Sequence, residues 1–371
     1  MIRSVTAMIE KDMPGKMVFL VGPRQVGKTW LAKSLTKKYK TAAYLNYDSS
    51  ADRKMIRSES WLPSSDLVVL DEIHKMPKWK NYLKGVFDTK RESLRLLVTG
   101  SARLDTFRKG GDSMAGRFFT HRLFPFTPAE LAGTEYDGCI DRLLERGGFP
   151  EPFLSDEEDF HNRWRRQYLD GLIRNDILDF ENVHDLKAIQ TVFELLRERV
   201  GSPVSLSSIA RDVSISPNTV KRYLQIFEDL YIVFRVRPFS RNIARSLLKE
   251  PKIYFFDTGL VKGDSGVKFE NLTALSLYSR ICSRQDIKGE NVDLCYIRTK
   301  EGREVDFCVT KDNTCESLVE AKFSDDSVSK QLRYFTQKLN VPGVQCVKDL
   351  RREFRDGLVE VRDAGSYLKE L

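Results

Sequence analysis

The run Gly22-Pro23-Arg24-Gln25-Val26-Gly27-Lys28-Thr29 constrains this chain more than any other feature. It matches the full phosphate-binding pattern of two glycines with four residues between them followed by Lys-Thr, which works only between a buried strand and a helix N-terminus. Both flanks are present: Met17–Val21 is an unbroken apolar run, and Leu31 and Leu35 form one face of a following helix. The loop predicts a parallel sheet covered by helices, because a crossover helix must return the chain to the same sheet edge-on. Apolar runs at Ala42–Leu45, Leu67–Leu70, Leu94–Val98 and Phe119–Leu123 supply further strands. At such a loop, backbone N–H groups and the helix N-terminus hold phosphates. Lys28 is then placed for the β- and γ-phosphates, and Thr29 for Mg²⁺.

The strand Leu67–Leu70 ends in Asp71-Glu72. In a P-loop sheet, Asp71 is expected to position Mg²⁺ through water and Glu72 to polarise an attacking water. Two acids at a strand end also serve as helix caps, and only the preceding loop favours catalysis. The next strand ends in Val98-Thr99-Gly100-Ser101, where either Thr99 or Ser101 is the polar residue beside Asp71. Arg117, before the fifth strand, reads either as an arginine finger or as one half of a surface ion pair.

With these segments in view, the chain resembles a prokaryotic family of AAA+ ATPases joined to a C-terminal domain of unknown function. The resemblance also rests on Leu123-Phe124-Pro125-Phe126, Gly147-Gly148-Phe149-Pro150, Arg174-Asn175-Asp176-Ile177, Tyr254 to Leu260, Phe269-Glu270-Asn271, Glu304-Val305-Asp306-Phe307 and Glu320-Ala321-Lys322. It implies an α/β chain: a P-loop AAA+ parallel-sheet domain, a helical linker with a winged helix, and an α/β PD-(D/E)XK nuclease-like domain. The corresponding ranges are 1–148, 149–200, 201–256 and 257–371.

The residues of the second half support that layout locally. Leu206, Ile209, Ala210 and Val213 make one apolar stripe, the turn Ile215-Ser216-Pro217-Asn218 follows, and Val220, Tyr223, Leu224 and Phe227 make a second. This is helix-turn-helix spacing, with strands from Ile232 and Ile253 as a wing. Asn218, Thr219, Lys221 and Arg222 fall on the exposed start of the second helix, and Arg235, Arg237, Arg241, Arg245 and Lys249 surround the wing. That set suits phosphate contacts, although such a module also packs between domains or subunits. Farther on, period-two alternation puts Val305, Phe307 and Val309 on one face of a strand and Glu304, Asp306 and Cys308 on the other. Glu320 and Lys322 share a face of the next strand, so Asp306, Glu320 and Lys322 should converge, with Glu270 joining from a helix. This resembles the PD-(D/E)XK constellation, which implies Mg²⁺ on Glu270, Asp306 and Glu320 with Lys322 acting on water. Taken as spacing alone, Glu320 and Lys322 are ordinary ion-pair partners on a solvated face.

Lys and Arg outnumber Asp and Glu 61 to 53, giving a net charge of +8, a diluted surplus that suits an anionic partner. Six scattered cysteines form no Cys-x-x-Cys pair, which points to a reducing compartment and away from a disulfide framework. No stretch approaches the apolar length of a membrane span or a signal peptide, so a cytoplasmic protein without membrane contact is expected. The combined expectation is an ATP- and Mg²⁺-dependent homo-oligomer that couples ATP turnover to DNA remodelling or processing. Two other readings remain open: an ATP-controlled switch for a protein partner or operator, and an ATP-gated metal nuclease.

Overall fold

A computed structural model describes residues 3–61, 64–100, 114–172, 177, 185–240, 250–324 and 327–371. The chain divides into two compact units, Met1–Phe124 and Pro125–Leu371.

The first unit is built on five parallel strands in the order β2-β3-β4-β1-β5. They are β1 (Met17–Val21), β2 (Ala42–Asn46), β3 (Leu67–Asp71), β4 (Arg95–Thr99) and β5 (Phe118–Arg122), each within a residue or two of its apolar run in the sequence. β1 and β3 are buried along their whole length, as strands covered on both faces must be. Helices α1 (Thr6–Asp12), α2 (Lys28–Thr36), α3 (Ser50–Ser58) and α4 (Trp79–Thr89) accompany the sheet. Because β1, β3 and β4 are parallel and in register, the chain leaves all three at one end, bringing Gly22, Glu72 and Gly100 there together.

The second unit opens with short helices α5 (Pro128–Leu131), α6 (Ile140–Arg146) and α7 (Pro150–Leu154), then α8 (Phe160–Gly171) and α9 (Leu186–Arg197). Next come α10 (Leu206–Val213) and α11 (Pro217–Asp229), each started by a serine whose hydroxyl accepts an orphan N–H: Ser205 from Ser208, and Ser216 from Thr219. An eight-stranded mixed sheet follows, in the order β12-β13-β11-β10-β9-β8-β6-β7. Its strands are β6 (Val233–Pro238), β7 (Lys252–Phe255), β8 (Val292–Arg298), β9 (Glu304–Lys311), β10 (Thr314–Lys322), β11 (Gly343–Val347), β12 (Phe354–Asp356) and β13 (Val359–Asp363). The long helix α12 (Ser265–Lys288) packs on this sheet, α13 (Lys330–Leu339) joins β10 to β11, and α14 (Ala364–Lys369) follows β13.

Two expected boundaries fall elsewhere. The first compact unit ends at Phe124 and not at residue 148, since the Phe126 N–H donates to the Gly148 carbonyl (2.6 Å) and the Gly148 N–H to the Asp257 carboxylate (2.7 Å). The boundary at 256 does not separate two sheets either: β6 pairs in parallel with β8 through Arg237–Cys295 and Pro238–Tyr296. The hairpin β6–β7 is thus the edge of the C-terminal sheet.

A carboxylate in the second unit ties distant segments together. An added Cβ at Gly147, whose φ is +82°, would lie 2.2 Å from an Asp257 oxygen, so only glycine admits this approach. Burial pushes the Asp257 carboxyl up to about 6, against the opposing pull of the Gly148 N–H and the Arg165 charge.

Candidate nucleotide site and charged cluster

At the outgoing end of β1, Gly22 adopts φ +146°, and a Cβ there would sit 2.1 Å from the Leu123 carbonyl oxygen. The loop Gly22, Pro23, Arg24, Gln25, Val26, Gly27 therefore begins pressed against the end of β5, and Gly27 (φ 97°) turns the chain into α2. Arg3 is buried beneath it, donating to the carbonyls of Val26 (2.8 Å) and Phe124 (2.5 Å). Nothing in the local motif points to Arg3, because its partners lie far away in the chain. The Lys28 ammonium donates to the carbonyls of Gly22 (2.9 Å) and Pro23 (2.6 Å), folding over its own loop.

Asp71 is the centre of the site. Its carboxylate accepts from the Thr29 hydroxyl (3.1 Å), the Thr99 hydroxyl and the Tyr44 phenol. Tyr44 was not singled out from the sequence, yet the β2–β3 register, with Leu45 beside Leu70 and Asn46 beside Asp71, supplies it. Burial, and next the hydrogen bond to Asp71, raise the phenol's pKa and keep it a donor. Of the two polar residues expected beside Asp71, Thr99 touches it, whereas Ser101 lies outside the described residues.

Glu72 stands in a left-handed backbone conformation (φ 56°), uncommon for a residue with a side chain. Its carboxylate lies 3.2 Å from the Lys75 ammonium and 3.6 Å from His74 Nε2, and Lys75 is in turn held by Asp48 at 2.6 Å. Burial raises the Glu72 pKa, Lys75 opposes this, and Asp71 adds to it.

Arg117 is gripped by Asp88 through Nε (2.8 Å) and Nη2 (3.0 Å). It precedes the first residue of β5, opposite Met17 at the incoming end of β1. Lys28 follows the outgoing end, so the length of β1, roughly 15 Å at about 3.3 Å per residue, separates the two. Within one copy of the chain Arg117 does not reach the phosphate site.

In the second unit, Asn218, Lys221 and Arg222 are exposed and Thr219 is partly so, all on the first turns of α11. Arg235 is engaged by Glu228 and by Gln225 (3.0 Å), which takes it out of the expected phosphate-facing set. Arg241, Arg245 and Lys249 lie outside the described residues.

The acidic residues expected to bind a metal do meet, but around a lysine. Lys252 of β7 is buried with its ammonium 2.6 Å from Glu304, 3.5 Å from Asp306 and 3.6 Å from Glu270. Burial alone would lower the Lys252 pKa; Asp306, Glu270 and Glu304 outweigh it and raise it. Glu270 also accepts from the Tyr254 phenol (2.7 Å). Beside this group, Asp306 accepts from the Ala321 N–H (3.1 Å) and Lys322 pairs with Glu320 at 3.0 Å. Glu320 Oε2 is buried without a hydrogen-bond partner among the described residues. Burial, and then the Asp306 charge, push both Glu270 and Glu320 up to about 7. Among the described residues, no group of three or more His, Cys, Asp or Glu side chains is arranged to hold a metal ion. Where the sequence predicts Mg²⁺ on Glu270, Asp306 and Glu320, Glu270 and Asp306 face the Lys252 ammonium and Glu320 pairs with Lys322.

The simple alternation along β9 is corrected as well. The β8–β9 ladder pairs Cys295 with Cys308 but Ile297 with Val305, so Asp306 and Phe307 together oppose Tyr296 in a bulge. Val305 and Cys308 therefore share one apolar cluster, while Asp306 meets Lys252 and Phe307 meets the Tyr254 ring.

Comparison with known proteins agrees with the first of these sites. Residues 14–132 match the family model described as AAA domain, the same stretch that carries the phosphate loop and the parallel sheet. Residues 139–269 match a domain of unknown function. An uncharacterized protein of Mycobacterium tuberculosis is 25% identical over 327 residues, covering 85% of this chain and 73% of its own length. One from Methanocaldococcus jannaschii is 22% identical over 357 residues, covering 86% and 78%. Among solved structures, the Thermotoga maritima RuvB Holliday junction branch migration motor aligns at 16% identity with a TM-score of 0.32, covering 63% of this chain and 86% of that one. Caenorhabditis elegans PCH-2 aligns at 15% identity and a TM-score of 0.25, covering 61% and 66%. No helix among the described residues is long and apolar enough to cross a membrane.

Proposed function

We propose that the first unit binds and hydrolyses ATP with Mg²⁺, and that the second unit couples this turnover to DNA. The observation that carries the reading is the meeting of Lys28, Thr29, Asp71 and Glu72 at one end of the sheet, with three hydroxyls converging on Asp71. When bound, Mg²⁺ would offset the negative charge of the phosphates. Thr29 and Asp71 are the residues that would hold it, and they fit: a hydroxyl and a carboxylate already within hydrogen-bond range. Lys28 turns from the loop carbonyls to the phosphate oxygens, and the N-terminus of α2 adds its partial positive charge. Glu72 polarises the attacking water.

Arg117 belongs to this scheme only as a residue donated to a neighbouring copy, which makes the active form a homo-oligomer. DNA enters through α11: a serine-capped helix after a short turn, with Asn218, Lys221 and Arg222 exposed, is the form that docks against a nucleic-acid groove. The winged-helix reading rests on that same feature. The C-terminal sheet acts as a binding platform rather than a nuclease, because Lys252 fills the acidic cluster.

The test is steady-state ATP hydrolysis by the full chain during titration with single-stranded, duplex and branched DNA. Lys28→Ala and Glu72→Gln should each lower the rate by more than about 100-fold, the scale of losing a central phosphoryl-transfer group. Arg117→Ala should retain ATP binding and lose turnover, and mixing with the Glu72→Gln protein should partly restore it. A several-fold rise with one DNA form supports the coupled reading. A slow rate indifferent to every DNA would favour a switch acting on a protein partner or operator.

A further inference from the structure

Four of the six thiols lie on successive strands of the second sheet: Cys295 on β8, Cys308 on β9, Cys315 on β10 and the buried Cys346 on β11. Cys308 and Cys315 flank a hairpin whose tip residues Asp312 and Asn313 both take positive φ (48° and 61°), the two-residue turn that suits strand twist. In a regular ladder Cys315 faces Thr310, and Cys308 lies one side-chain step farther along the same face. A register shift between Cys315 and Ser317 accompanies their approach, and the two sulfurs stand 3.2 Å apart. A disulfide bond is about 2.05 Å long, so closure requires roughly 1 Å of movement. The two differ in access: Cys308 is buried in the apolar cluster, while Cys315 is half-buried.

We propose that Cys308 and Cys315 form a hydroperoxide-reactive dithiol that closes to a disulfide across the β9–β10 hairpin. Cys315 is the attacking sulfur, since it is the accessible one and accepts the Cys308 S–H. That hydrogen bond lowers the Cys315 thiol and raises its partner, favouring thiolate at the exposed position. The Cys315 thiolate attacks the peroxide, the O–O bond breaks, and an alcohol or water departs with a proton taken from solvent. The Cys315 sulfenic acid that remains is attacked by the Cys308 sulfur. The S–S bond forms, the S–O bond breaks, and water leaves with the Cys308 proton. Two thiols and one hydroperoxide become one disulfide, one alcohol and one water, the peroxide taking both electrons. The inference does not depend on ATP hydrolysis by the first unit.

The test treats the reduced full-length protein with hydrogen peroxide, blocks remaining thiols by alkylation, and maps the tryptic peptides. Lys311 lies between the two cysteines, so trypsin separates them unless a disulfide holds them together. The expected product is a Cys308–Cys315 linked peptide, lost on dithiothreitol treatment and formed faster in the folded protein than in urea. Cys308→Ser should stop at a sulfenic acid on Cys315, captured by a dione probe, and Cys315→Ser should give neither product. Should Cys308→Ser fail to fold, the wild-type map and the milder Cys315→Ser decide the matter. The proposal is overturned if Cys308 and Cys315 stay alkylatable while another thiol oxidises, if Cys308 links to Cys295 instead, or if wild-type Cys315 proceeds to sulfinic acid without linking.

Discussion

The two acidic clusters of this chain use the same residue types and support them differently. Around Asp71, Thr29, Thr99 and Tyr44 donate hydroxyl hydrogen bonds, which support a carboxylate without cancelling its charge. Around Glu270, Glu304 and Asp306, the protein brings its own cation on Lys252, buried and tethered to β7. The first arrangement leaves the carboxylate charge uncancelled; in the second, part of the negative charge is offset by a cation carried on the chain itself. A row of acids on a strand therefore does not itself predict a metal centre. What matters is whether a cationic side chain can reach it from a neighbouring element.

The largest expected effect breaks the closed cluster. Lys252→Met should destabilise the second unit by about 3–5 kcal/mol, the cost of leaving buried carboxylates uncompensated. Denaturant unfolding measures it, and a loss under roughly 1 kcal/mol, the range of an exposed pair, would mean that the lysine is not what holds those acids.

A third site sharpens the contrast: Asp257 accepts from the Gly148 N–H and feels the Arg165 charge, yet its burial still favours the protonated form. Its native pKa, about 6, lies above the ordinary 3.8, so the folded state retains the proton after the unfolded state has released it. Its contribution to stability is complete below the unfolded value and is lost as pH rises through the folded one. This amounts to roughly 3 kcal/mol between about pH 4 and about pH 6. Asp257→Asn should flatten the fall in unfolding free energy over that window relative to wild type. Parallel pH profiles for the two proteins would remove the assignment.

The smallest effect tests the open site. Tyr44→Phe removes one of the hydroxyls on Asp71 and should cost about 1 kcal/mol, several-fold in kcat or in apparent Mg²⁺ affinity, with little change in thermal stability. An unaltered Mg²⁺ titration and kcat would show that Thr29 and Thr99 suffice to orient Asp71.

The ease of reading differed in the same way between the two regions. Met17–Val21, the loop to Thr29 and the strand ending at Asp71-Glu72 were legible because each function is carried by contiguous residues whose backbone does the work. The second sheet was legible only in part. The strands β11 to β13 went unassigned, and the even alternation expected along β9 ignored a bulge that depends on its pairing with β8. Arg117 carried an open choice between finger and ion pair; within one chain the pair with Asp88 is what forms.

The sequence by itself determined the phosphate loop, the acidic strand end beside it and the serine-capped helix pair at 205–229. Periodicity and short-range hydrogen bonding act over a few residues and are written in their order. Only the tertiary structure decided that Lys252 would stand among Glu270, Glu304 and Asp306, that Tyr44 would reach Asp71, and that Cys308 would touch Cys315. Those contacts depend on strand order, register and bulges, which are set by the packing of the whole sheet.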